Sequence, residues 1–177
     1  RGLTDKTQIT LETLAGIKIL DLNVKDGEVQ TVRVNMGSPE LVPKNIPIDS
    51  NLDRFISEDV EVDGKVYKVT GVSMGNPHAV TFIDDTDSLE IEKIGPKFET
   101  HKLFPKKINT EFAQIVDRNT IKMRVWERGA GETLACGTGA CATMVAANLN
   151  GLVDDEADLV LLGGTLHIKW DKNENKV

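Results

Sequence analysis

The sequence is poor in the residues that build disulfide, metal and cofactor sites. Only two cysteines, Cys136 and Cys141, stand among its 177 residues, too few for a disulfide framework. On one helical path their Cα atoms would lie roughly 8–9 Å apart, out of range of a bridge. Such thiol usage fits a reducing compartment, and the cytoplasm is the expected location. Three histidines and two cysteines at these spacings match no zinc pattern. His101 and His167 have no chemical context in the sequence and read as structural. There is no phosphate-binding GxxxxGK loop, no GxGxxG after a strand and no pyridoxal-phosphate lysine setting. No cofactor and no metal are therefore expected. Positive charge is scarce as well: Lys and Arg number 21 against 28 Asp and Glu, a net −7 without a basic cluster. That balance argues against nucleic acid or an anionic membrane as partner. No apolar run approaches a membrane span, and the first residues lack a signal-peptide pattern.

What is present is concentrated between Glu127 and Asn150, E-R-G-A-G-E-T-L-A-C-G-T-G-A-C-A-T-M-V-A-A-N-L-N. The second half is apolar nearly all the way round, the pattern of a buried helix. Gly151 reads as the residue that closes it. The helix is expected to begin near Thr138, with Cys136 just ahead of its first turn. Helix-start N–H groups have no internal partners and carry partial positive charge. A thiol there is expected to favour the thiolate, as a nucleophile or base near neutral pH. The same N–H groups suit a carboxylate, with glycines allowing close approach. Cys136 equally fits a small buried cysteine at a tight turn, and Cys141 fits core packing.

Around this stretch the chain reads as short strands. Gln8 to Leu11, Ile17 to Val24 and Val29 to Asn35 are β-rich, the last two joined by Lys25-Asp26-Gly27-Glu28. Pro39, Pro43 and Pro47 mark an extended connector and the expected domain boundary. A second hairpin turns at Asp63-Gly64. Asp87 to Phe104, interrupted at Gly95-Pro96, reads as two short helices. Glu111 to Asp117 and Ile121 to Glu127 alternate around Arg118-Asn119, and a last hairpin turns at Gly163-Gly164. The whole is an α+β fold, an antiparallel or mixed sheet wrapped around a central buried helix. Gly75-Asn76-Pro77-His78 sets an amide and an imidazole in one turn. Asn109 precedes a strand, and Glu127-Arg128 is either a surface ion pair or a thiol-tuning carboxylate beside a carboxylate-binding guanidinium.

Ser73-Met74-Gly75-Asn76-Pro77-His78-Ala79-Val80, together with Glu127 to Thr133 running into Ala135-Cys136-Gly137-Thr138-Gly139-Ala140-Cys141-Ala142, resembles the diaminopimelate epimerase family. Val34-Asn35-Met36-Gly37, Phe104-Pro105 with Ile108-Asn109, and Gly163-Gly164-Thr165-Leu166 support the likeness across the chain. The resemblance implies cofactor-independent inversion of L,L-diaminopimelate to the meso isomer, within lysine and peptidoglycan precursor biosynthesis. It implies two lobes, each presenting a cysteine at the start of a central helix, with one thiolate removing the α proton and the opposite thiol delivering one. It implies Cys136 as an acid/base, with His78 and Glu127 tuning the thiols. Asn76, Asn109, Glu127, Arg128, Gly137 and Thr138 would then contact a small amino-acid substrate. It allows a homodimer of the full-length protein.

The family's first-lobe N-x-C-G-N-G-like motif is not in this sequence; the stretch resembling Gly2-Leu3-Thr4 follows it in the family. The family's closing tail is expected just after Val177. Residues 1–36 are thus expected to be a remnant of the first lobe and residues 37–177 the second lobe, with half an active site. The competing readings are another two-thiol racemase, a Cys136/His78 acyl transferase and an isolated, non-catalytic lobe.

Overall fold

A computed structural model of the chain describes residues 4–13 and 16–177. Gly2 and Leu3, where the first-lobe resemblance begins, lie outside the described residues. Strands β1 (Gln8–Thr13), β2 (Gly16–Lys25) and β3 (Glu28–Val34) form an antiparallel three-stranded sheet. Asp26 and Gly27 both adopt positive φ between β2 and β3, the backbone that a two-residue Asp-Gly hairpin turn requires. Leu11, Ile17, Ile19, Val24, Val29 and Val32 of this sheet are exposed.

The proline-rich segment that follows departs from the extended connector expected. Glu40 does pair as an antiparallel bridge with Ser73, but Pro43–Asn45 forms a 3-10 turn. A proline at a helical first position has the right φ and lacks an N–H that would have no partner there, so it starts the turn. The Glu40 carboxylate accepts from the Val42 and Leu41 N–H groups and from Asn45 Nδ2, at 2.7–2.8 Å. The Val42 N–H, then the Asn45 amide, hold that carboxyl below its usual range.

The larger sheet contains β4 (Glu58–Val62), β5 (Lys65–Ser73), β6 (Pro77–Phe82), β7 (Asn109–Asp117), β8 (Thr120–Glu127), β9 (Gly131–Thr133), β10 (Glu156–Leu161) and β11 (Gly164–Lys169). Its order is β11-β10-β8-β7-β6-β5-β4, with β9 also paired to β8. Most neighbours are antiparallel, but β6/β7 and β8/β10 run parallel, so the sheet is mixed. Helix α1 (Ile91–Glu99) packs on one face and α2 (Gly137–Leu149) on the other. Lying between them, β7 is buried continuously over its first five residues, as a strand covered on both sides is, and its successive side chains point to opposite faces. Phe112 meets Phe98 of α1 edge-on, ring centroids 5.4 Å apart, while Ala113 joins the cluster around Ala140 and Met144 of α2.

Two short helices were expected between Asp87 and Phe104; the structure has one, continuous through Gly95 and Pro96. Packing outweighs the local breakers. Ile91 and Phe98 are buried, and Gly95 lies against Trp126, where an added Cβ would sit 2.4–2.7 Å from indole carbons. Helix α2 matches expectation, beginning one residue early at Gly137. It is buried from Gly139 to Ala147, and Gly151 closes it at positive φ.

Gly95→Ala is expected to cost about 1–3 kcal/mol, because neither the helix backbone nor the Trp126 ring has room to yield. Urea unfolding would measure it, and an unchanged midpoint would refute the packing account. Amide hydrogen exchange is expected to be faster in β1–β3 than in α2, since that sheet's apolar side chains are exposed. Equal protection in the two would contradict this.

Candidate active site

The alternation of three adjacent strands places the expected residues on one face and at one end of the sheet. His78 lies near the start of β6, Asn109 opens the parallel strand β7, and Glu127 ends β8, which runs antiparallel to β7. Asn109 and Glu111 are an even number of residues from Ala113, so they share the face that α2 covers. Val125 and Glu127 share it too, whereas Trp126 turns toward α1. Because α2 enters from this end, its first turn meets these side chains.

Cys136 is the N-cap of α2, with its sulfur accepting from the Gly139 N–H at 3.4 Å. The Thr138 hydroxyl lies 3.5 Å from the same sulfur. The residue is 7% exposed. Burial pushes the thiol above its ordinary range; the Glu111 and Glu127 carboxylates add to this, against the Thr138 and Gly139 donors. The expected thiolate near neutral pH is thereby corrected: the helix end does donate to the sulfur, but dehydration and two carboxylates outweigh it. Cys141, at the core of α2, is 1% exposed and pushed up to about 12, mainly by burial. Both cysteines are free thiols.

The remaining residues form a hydrogen-bonded frame. His78 is fully buried; its Nδ1 meets Glu111 Oε1 at 2.7 Å and its Nε2 meets Asn76 Oδ1 at 3.0 Å. Asn109 donates to the Pro77 carbonyl at 2.7 Å and accepts from the Arg128 N–H at 2.8 Å, tying the Asn76-Pro77-His78 turn to the end of β8. Glu127 accepts from the Thr133 hydroxyl across β8 and β9. The Arg128 guanidinium donates to the Lys106 carbonyl at 3.1 Å, and so is not ion-paired with its neighbour Glu127 in this conformation. Gly137 and Thr138 form the opening turn of α2, where N–H groups have no helical partners. The His101 ring donates from Nε2 to the Glu61 carbonyl and accepts at Nδ1 from the Leu103 N–H, and His167 pairs with Asp158 on the exposed hairpin.

Two carboxylates were missed in the sequence. Glu99 of α1 accepts from Lys107 Nζ, Gly129 N–H and Trp126 Nε1, at 2.8–3.1 Å, and so fixes the loop after Arg128. Burial alone would raise its carboxyl, but these donors together hold it below the usual range. Glu111 is fully buried under α2. The only local signal was an acidic residue in a strand just ahead of Phe112 and Ala113, and nothing in the sequence named its partner, 33 residues away.

In the folded chain, iodoacetamide is expected to label Cys136 in preference to Cys141. At pH 7 it should react more slowly than an unstructured cysteine, by about threefold or more, and accelerate as pH rises past the ordinary thiol range. Peptide mapping across pH checks this; first labelling at Cys141 would overturn it.

Residues 70–177 match the family model described as diaminopimelate epimerase. The diaminopimelate epimerase of Acetivibrio thermocellus is 59% identical over 177 residues, covering 100% of this chain and 63% of that protein. That of Methanococcus maripaludis strain S2 is 51% identical, covering 100% and 64%. The chain therefore spans less than two thirds of these relatives. Among solved structures, a probable proline racemase from Agrobacterium radiobacter K84 superposes with a TM-score of 0.65 at 16% identity, covering 93% of this chain and 52% of that one. A hydroxyproline epimerase from Agrobacterium vitis gives 0.64 at 12% identity, covering 94% and 52%. At such identities the likeness is one of fold.

Proposed function

The chain belongs to the diaminopimelate epimerase family, and from that membership we propose that it carries one half of the active site of a cofactor-independent amino-acid epimerase. The substrate pair is L,L- and meso-diaminopimelate, a precursor pair for lysine and peptidoglycan, handled in the cytoplasm. Residues 1–36 belong to the first lobe and residues 37–177 to the second; the division into two separate sheets supports this. The observation that carries the reading is Cys136 capping a helix buried from Gly139 to Ala147, beside a frame of Asn76, His78, Asn109, Glu127 and Arg128.

The chemistry follows from that arrangement. The Gly137 and Thr138 N–H groups and the positive end of α2 hold the substrate α-carboxylate. When a thiolate takes the α proton, the C–H electron pair moves toward that carboxylate, where the helix end stabilises the growing charge. A thiol on the opposite face then returns a proton to carbon and becomes the thiolate, so no atom is gained or lost overall. Cys136, held as a thiol by its surroundings, is poised to donate in one direction and to accept in the other. Asn76, Asn109 and Arg128 meet the substrate's polar groups, while His78 and Glu127 tune the thiol. Cys141 is sealed inside α2 and cannot reach an opposite face, so the second thiol belongs to the part of the relatives this chain does not span. The net charge of −7 gives this chain no electrostatic hold on nucleic acid, and the family resemblance allows a homodimer of the full-length protein.

Acyl transfer with His78 as base is disfavoured. Both ring nitrogens are engaged by Glu111 and Asn76, leaving none to accept the Cys136 proton.

Incubation of L,L-diaminopimelate with this chain in D₂O is expected to give no meso product at an enzymatic rate, because one base serves one face. Adding a separate first-lobe fragment with its cysteine is expected to restore meso formation, and Cys136→Ala to abolish it. Meso product at the rate of an intact enzyme from this chain alone would refute the half-site reading.

A further inference from the structure

Glu111 is the most buried acidic group beside Cys136, and the proposed reaction as described leaves it without a task. Its side chain has no solvent contact, yet only one oxygen is used: Oε1 meets His78 Nδ1 at 2.7 Å, while Oε2 has no hydrogen-bond partner. A half-satisfied carboxylate in a protein interior is costly, and is retained where its charge or position serves something else. The two neighbours it reaches are both parts of the site. On one side is His78, whose far nitrogen meets Asn76, so Oε1 holds the ring and the ring holds the Asn76 amide. On the other is the first turn of α2. A Cβ built on Gly139 would lie 2.6 Å from Glu111 Oε1 and 3.2 Å from Cys136 Sγ, so only a residue without a side chain lets the carboxylate and the sulfur share that corner. The glycine two residues past Gly137 is thus accounted for by Glu111 rather than by backbone conformation, since its φ is not positive.

We propose that Glu111 is a positioning residue for the reaction at Cys136: it locks the His78 ring against Asn76 and sets its carboxylate under the first turn of α2. The role rests on the proposed acid/base function of Cys136. It makes Glu111, Gly139 and His78 one unit, in which the carboxylate adds to burial in holding the thiol above its ordinary range and keeps the ring at a single orientation. The other groups facing this corner are Glu127 from β8, which also bears on the thiol, and Cys141 within α2, on which Lys18 acts in turn. A cation brought by the substrate would offset the carboxylate and free the thiolate only when the site is filled. Glu111 touches neither substrate nor the reacting carbon; it acts through its neighbours.

The test uses thiol reactivity and ring NMR on this chain, neither of which requires epimerase turnover. In Glu111→Gln, iodoacetamide should alkylate Cys136 at pH 7 at least about threefold faster than in the parent, with the pH profile moved to lower pH. Glu111→Asp should return the rate toward the parent value. An unchanged or slower rate in folded Glu111→Gln would overturn the proposal. In the parent chain, nitrogen-correlated NMR should show a persistent, downfield Nδ1–H proton on His78, absent in Gly139→Ala, whose methyl would displace the carboxylate. Lack of that proton in the parent would overturn the proposal even if Glu111→Gln did not fold. Absence of meso product even after the first-lobe fragment is added, with the alkylation and ring signals as expected, would count against the epimerase reading alone.

Discussion

Everything in this chain depends on surrounding a helix that has no polar face. From Gly139 to Ala147 every residue of α2 is buried, so the helix cannot lie on a surface and must be enclosed by the sheet. Strands β5, β6, β7, β10 and β11 all touch it. Small residues, Ala140, Ala142, Ala146 and Ala147, let those strands approach, while Met144 and Val145 fill the gaps between them. A helix held on all sides has a fixed end, and a fixed end is what turns unpartnered N–H groups into a binding feature.

The polar site lies at the starting end of the same helix. Strand alternation sends Asn109, Glu111 and Glu127 to the α2 face, and the parallel pairing of β6 with β7 brings His78 alongside Asn109. Hydrogen bonds among side chains then connect the Asn76 turn, the β7 start and the β8 end, so the loops are tied to one another and not only to their strands. Glu99 repeats the device from the opposite face, reaching round Trp126 to the Gly129 N–H. The same packing that organises the site dehydrates Cys136, which is why its thiol stays high although it caps a helix. Electrostatics at a helix end and burial oppose each other here, and burial prevails.

The sequence alone determined the elements whose signals are local. The apolar run of α2 with Gly151 after it, the Asp26-Gly27 and Asp63-Gly64 turns, and the cysteine at the helix start were legible because propensity and periodicity act within a few residues. The family motifs named Asn76, His78, Asn109, Glu127 and Arg128 for the same reason, each lying in a contiguous stretch. Only the tertiary structure decided the rest. Continuity of α1 through Gly95-Pro96 depends on Trp126, 30 or so residues away in sequence. The raised Cys136 thiol depends on burial and on Glu111, and the parallel strand pairs depend on connections that no hairpin rule anticipates. The physical reason is range: hydrogen bonds and turns are written between near neighbours, whereas desolvation and charge at a site are sums over whatever the fold brings together.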